Sequence, residues 1–293
     1  MSKQKGEFDA VEVKVSNHGR GRFQEAFTLV ELLVVISIIA MLLAILIPSL
    51  QRARKQAKTV ICRSNLKQWG IMYTMYCDDN RGYFFSGQIN DSWTAGANFG
   101  RYWRNVMKPY SKNAGMWLCS ETIKPQFNGD MPVKGSSTSV AWEYDGDVGS
   151  YGLNGWVLNP PPDTTDVYSR TPVSDSWRTY QKKGLNNIPV FGDMWFVDAW
   201  PKDADPPPLT ETCPGDPETY AQSPPNEMRR VCVNRHNGYV NMVFMDSSAR
   251  KVGLKELWVL KWNKSYNING KYTKVGRFRS ENWPDWMRKF KDY

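Results

Sequence analysis

Residues 27 to 48, FTLVELLVVISIIAMLLAILIP, leave the chain little choice of surroundings. From Phe27 to Ile47 the only non-apolar residues are Thr28, Glu31 and Ser37. As a helix rising about 1.5 Å per residue, the run measures ~31 Å, close to the ~30 Å hydrocarbon thickness of a bilayer. A helix apolar on every side has no face to give to water, so it reads as a transmembrane span. A secretory signal has a shorter apolar core with a small-residue cleavage site behind it. Here Pro48-Ser49-Leu50-Gln51 follows, so the span is expected to be retained. The carboxylate of Glu31 opposes insertion, less so near the end of a span than at its centre. It either reaches the interface or meets a cation at its own depth.

The formal net charge is +9, which raises nucleic acid as a partner. The basic residues are scattered, however, and no nucleic-acid-reading motif accompanies them. Several sit just after the span, at Arg52, Arg54, Lys55 and Lys58, where acidic lipid headgroups are the more direct partner. They outnumber Lys14, Arg20 and Arg22 before it, so a bare positive-inside count places the C-terminal part in the cytoplasm. The cysteines are Cys62, Cys77, Cys119, Cys213 and Cys232. An odd number leaves at least one thiol without a partner in the chain, and no pair has C-x-x-C metal spacing.

The stretch EAFTLVELLVVISIIAMLLAILIP resembles the class III signal of type IV prepilins and type II secretion pseudopilins. The likeness lies in the Phe at the new N-terminus, Thr-Leu-Val-Glu-Leu-Leu, the apolar run and the closing proline. It implies a cytoplasmic leader over residues 1–26, cut by a prepilin peptidase between Ala26 and Phe27, with N-methylation of Phe27. Ala26 stands where glycine is more usual. It implies that Glu31 is the assembly carboxylate, pairing with a neighbouring subunit's N-terminal amine. It also reverses the charge count and places the head in the periplasm.

Beyond Pro48 the next proline is Pro109, and Leu66, Trp69, Tyr73 and Tyr76 recur at helical spacing. Ala53, Ala57 and Ile61 extend that stripe backwards, and Asp78-Asp79-Asn80-Arg81-Gly82 reads as a helix stop. The expectation is a helix over residues 27–80, its transmembrane part 27–47, with Gly70 as a weak point. Cys62 and Cys77 would lie ~22 Å apart along it, too far to bond. From residue 81 to 293 the texture is that of a head with short strands and frequent turns. Strands are predicted at Ser139–Trp142, Gly155–Leu158, Ile188–Phe191, Tyr239–Met245 and Arg250–Gly253, the last two forming a hairpin around Asp246-Ser247-Ser248. Surface loops are predicted at Asn159–Asp163 and Lys202–Pro225. The fold class is α+β and pilin-like: a long N-terminal helix packed on an antiparallel sheet with long loops.

RHNGYVNMVFMDSSARKV resembles the C-terminal motif of large pilin-like proteins that carry His, nine residues, then Asp-Gly. His236 and Asp246 occupy those places, with Ser247 in place of the glycine. CRSNLKQWG and MWLCS, around Cys62 and Cys119, resemble that group's helix and cysteine-containing loop. Removal of the leader leaves His236 as the only histidine, which excludes multi-histidine zinc sites and allows a Ser-His-Asp triad only around it. There is no G-x-S-x-G elbow. The expected role of His236 is structural, against Asp246 or Asp193. The acidic stretch FGDMWFVDAWPKDAD offers Asp193 and Asp198 as calcium candidates, without EF-hand spacing, and no other cofactor is expected. Trp195 and Trp200 in that stretch offer flat faces to sugar rings.

Three functions stay open on these residues. The first is a non-enzymatic structural subunit of a type II secretion pseudopilus or type IV pilus, held in the inner membrane. Its partners would be prepilin peptidase, other pilin or pseudopilin subunits, an assembly platform with its ATPase, and membrane lipid, but not nucleic acid. The second is a membrane-anchored or filament-tip polysaccharide-binding protein, and the third a membrane-anchored hydrolase using His236.

Overall fold

A computed structural model describes residues 28–87, 101–111, 113–123, 138–144, 146–162, 164, 172–180, 183–211 and 226–293. The leader and the Ala26/Phe27 junction lie outside them. Helix α1 runs unbroken over Leu29–Asp79, with Pro48 inside it. From Leu29 to Leu50 every residue is exposed. The helix ends where the sequence places its stop. The N–H groups of Asn80 and Gly82 both turn back to the Cys77 carbonyl, at 3.0 and 2.8 Å. Arg81 (φ 59°) and Gly82 (φ 80°) take the left-handed conformation that closes a helix.

Two compact units divide at Gln51/Arg52, so the second half of α1 belongs with the head. There it buries Thr59, Cys62, Leu66, Trp69, Gly70, Met72, Tyr73 and Cys77. The predicted stripe is right from Leu66 onward and wrong before it. Ile61 is half exposed, Ala53 and Ala57 are exposed, and the buried line runs instead through Cys62 and Thr59. A small polar or thiol side chain makes closer contact there than a branched apolar one, and the reason is the cluster described below.

The head is built on a five-stranded sheet in the order β5-β3-β4-β6-β7, with a separate β1–β2 ribbon. The strands are β1 Trp142–Tyr144, β2 Asp147–Gly149, β3 Tyr151–Asn154, β4 Pro189–Asp193, β5 Asp198–Ala199, β6 Tyr239–Phe244 and β7 Ala249–Gly253. All pairings in the large sheet are antiparallel except β3 with β5. The β6–β7 hairpin forms in the predicted place, and Ser247 (φ 61°) occupies the left-handed position of its turn. That conformation favours glycine, which explains what a glycine does at this point of the motif. Two strand expectations need correction. Ser139–Trp142 contributes only its last residue to a strand, and Gly155–Leu158 forms a turn after β3. Its apolar side chains are buried, which imitates a strand in composition without ladder pairing.

Tryptophans hold the loops to this sheet. Trp69 of α1 packs edge-on against Trp103 and Trp117, and against Phe191 of β4. The indole N–H of Trp69 donates to the Met116 carbonyl, that of Trp103 to Val197, and that of Trp258 to Asp205. Each ring thus buries apolar area while its N–H finds a backbone carbonyl to bond. The described start of the second proline-rich loop is consequently not at the surface throughout: Asp205, Pro207 and Pro208 are buried.

Candidate functional site

The first site is the N-terminal turn of α1. Thr28 accepts a hydrogen bond from the Glu31 N–H at 3.2 Å, and the Thr28 N–H and hydroxyl donate to Glu31 Oε2 at 2.8 and 2.7 Å. This is a capping box, Thr-x-x-Glu, in which side chains satisfy donors that a helix start leaves unpaired. The carboxylate also sits at the positive end of the helix dipole. Glu31 therefore has a partner within its own chain. Around it, Leu29, Val30, Leu32 and Leu33 are exposed.

The second site lies in the head. Thr59 and Cys62 come from one face of α1, Cys119 from the loop after Trp117, His236 from the turn before β6, and Asp193 from the end of β4. The Cys62 and Cys119 sulfurs are 2.9 Å apart. His236 Nε2 lies 3.4 Å from Cys119 Sγ and 3.2 Å from Asp193 Oδ2. Its other nitrogen, Nδ1, lies 3.2 Å from the Thr59 hydroxyl. That hydroxyl has one proton, and it donates it to the Lys55 carbonyl at 3.0 Å. Thr59 must accept from the ring, so Nδ1 carries a hydrogen and Nε2 is the nitrogen turned to the sulfurs.

All of these groups are buried, so their charges must balance locally. The hydrogen bond from Cys119 holds the Cys62 thiol down at about 4, against burial, with His236 adding to the effect. The same hydrogen bond and burial push Cys119 up. Burial opposes the charged form of His236, but the charge and hydrogen bond of Asp193 outweigh it and raise the ring to about 9. Asp193 is in turn lowered, with burial opposing and the His236 charge prevailing. Arg235 completes the balance. Its Nη1 is 3.7 Å from Asp193 Oδ1, and its guanidinium donates to the carbonyls of Thr138, Ser150 and Met194.

His236 thus faces Asp193 and not Asp246. Asp246 is exposed and caps the hairpin turn through the Ser248 N–H at 2.9 Å. Asp193 and Asp198 are not brought to a common oxygen cage. Asp193 serves His236 and Arg235, Asp198 is paired with Arg230 at 3.1 Å, and Asp205 accepts from the N–H groups of Lys202, Glu227 and Met228. Around Asp193 the donors are sulfur and imidazole, unlike the all-oxygen shell calcium takes. Trp195 and Trp200 are 4% and 0% exposed, so neither offers a face to a sugar. Among the described residues no Ser-His-Asp relay is assembled around His236, because the carboxylate and the sulfur share one ring nitrogen while a threonine takes the other. The roles of Cys62, Cys119 and Thr59 in one site were not foreseen. Cys62 heads CRSNLKQ and Cys119 lies in MWLCS, but 57 positions separate them and no local spacing links them.

Residues 21–47 match the family model described as "Prokaryotic N-terminal methylation motif". The chain is type IV prepilin-like. It is 45% identical over 62 residues to the type IV wide pilus major component PilA4 of Thermus thermophilus, a match covering 21% of this chain and 47% of that protein. The prepilin-like chain therefore spans about half the length of this curated relative. No solved structure matches it.

Proposed function

We propose that this chain is a structural subunit of a type II secretion pseudopilus or type IV pilus, processed between Ala26 and Phe27 and polymerised through α1. The observation that carries the reading is the α1 surface from Leu29 to Leu50, wholly exposed and long and apolar enough to cross a membrane, with one carboxylate in its first turn. Such a surface is stable only in lipid or against copies of itself. The same helix can serve in both settings, first as an inner-membrane anchor with the head periplasmic, then in a filament. Prepilin peptidase, other pilin-like subunits, membrane lipid and an assembly platform with its ATPase are the partners this requires. The subunit carries no catalysis of its own.

The test is the N-terminus of the mature protein from its native membrane, read by mass spectrometry, together with a Glu31→Gln variant. Glutamine keeps the capping box but not the charge. We expect a chain beginning at an N-methylated Phe27, and a variant that inserts normally but is missing from sheared filaments. An intact leader, or filaments containing Glu31→Gln at the normal level, would sink the proposal.

A further inference from the structure

From the convergence of three donor atoms on one buried point, we propose that Cys62, Cys119 and His236 form a binding site for a zinc-like divalent cation, with Asp193 as the carboxylate beside it. Among the described residues, the Cys62 Sγ, Cys119 Sγ and His236 ligand atoms all lie within 4.8 Å of one another, and all three residues are buried. Two thiolates and an imidazole are the donor set of zinc and its borderline-soft neighbours, not of calcium or magnesium.

The surroundings fit a cation in three further ways. The ring is oriented: Nδ1–H is committed to Thr59, which is anchored on Lys55, so the Nε2 lone pair is the one available to a metal. A hydrogen bond that fixes the tautomer of a ligating histidine is the usual second partner at such a site. Next, Asp193 Oδ1 is fully buried and receives no hydrogen bond, while Oδ2 accepts from the Asn241 N–H at 2.7 Å. Oδ2 lies 3.2 Å from the same Nε2, and Oδ1 faces Arg235 Nη1 at 3.7 Å. Finally, the charges close. Two thiolates, the Asp193 carboxylate, the Arg235 guanidinium and a divalent ion sum to zero in a buried site.

The geometry must adjust in one respect. Tetrahedral bonds of about 2.3 Å put two sulfurs roughly 3.8 Å apart, so the pair now at 2.9 Å has to open. A cleft of about 610 Å³ whose lining includes Thr59, Glu121, Arg235 and His236 opens beside the site.

The experiment uses the full-length chain, solubilised in detergent and kept reduced, and titrates it with cobalt(II) as a coloured substitute for zinc. We expect one equivalent per chain, with a thiolate charge-transfer band in the near ultraviolet and strong tetrahedral d–d bands, displaced by zinc. Cys62→Ser and His236→Ala should lose the bands. Cys77→Ser and Cys232→Ser should keep them, and Thr59→Val should weaken binding about 10- to 100-fold with the thiol count unchanged. The wild-type spectrum decides the matter even where a ligand variant does not fold. Absence of the bands from reduced wild type, or their persistence in a folded Cys62→Ser chain, overturns the proposal. So does a Cys62–Cys119 disulfide in protein taken from its native membrane.

Discussion

Arg235 shows how much of this head rests on single side chains. Its guanidinium reaches three backbone carbonyls from three separate segments and neutralises Asp193, with the side chain buried. Arg235→Met keeps most of the volume but leaves a buried carboxylate unbalanced. Removing one partner of a buried pair costs about 3–5 kcal/mol. We expect the urea midpoint of the variant to fall accordingly with the slope of the transition unchanged; a loss under about 1 kcal/mol would show that Asp193 is neutralised by other means. At this scale the sequence was only partly legible. The Thr28–Glu31 capping box links residues only three positions apart, yet the sequence reading of Glu31 looks to the interface or to a cation and passes over the partner in its own turn. The partner of His236 could not be fixed, since two aspartates were compatible with its position in the chain and only β-sheet register decides for Asp193. The same register turns Asp246 out into a hairpin turn.

Elements differ in how openly they announce themselves. Helix α1 and the β6–β7 hairpin are legible because their periodicities and stops agree over many residues. Gly155–Leu158 is not, because burial alone gives a turn the composition of a strand. Gly70 illustrates the limit of propensity. In an exposed helix, exchanging glycine for alanine gains up to about 1 kcal/mol. Here a Cβ on Gly70 would stand 2.5 Å from Val243 Cγ2 of β6 and 3.5 Å from the Ser247 backbone. Valine is stiff at χ1, so the sheet cannot yield without moving its backbone. The point that looked weak in sequence is therefore a place where α1 and the sheet approach closely. Gly70→Ala should destabilise the head by about 1–3 kcal/mol, the usual cost of overpacking. A thermal melt showing unchanged or raised stability would mean that the helix does not press on β6 there.

At the scale of the whole chain, the division at Gln51/Arg52 separates two kinds of surface. The large exposed apolar residues crowd into Leu29 to Leu50, whereas the buried core begins at Thr59. A fragment comprising Arg52–Tyr293 gives up none of that core. We expect it to be soluble without detergent and to melt in one cooperative transition with a strong near-ultraviolet tryptophan signal. A fragment that aggregates, or melts without cooperativity, would tie the fold of the head to the residues before Arg52. The architecture follows from the sequence through this contrast: one segment apolar on all sides, then a stripe, then turn-rich chain. The tryptophan ties are not legible in the same way, because an indole chooses its carbonyl through loop geometry that no periodicity encodes.

The row of residues at which α1 first becomes buried also has a mechanical meaning. Tension carried along α1 would pass the exposed stretch from Arg52 to Lys58 and be met first at Thr59 and Cys62. A load drawn along the helix enters the head at this row before it reaches the contacts further along α1. In this chain that row is fastened sideways to Cys119 and His236, and through them to the turn before β6. A pull on α1 thus arrives first at a few polar and sulfur atoms on the edge of the head, ahead of the large aromatic core behind them.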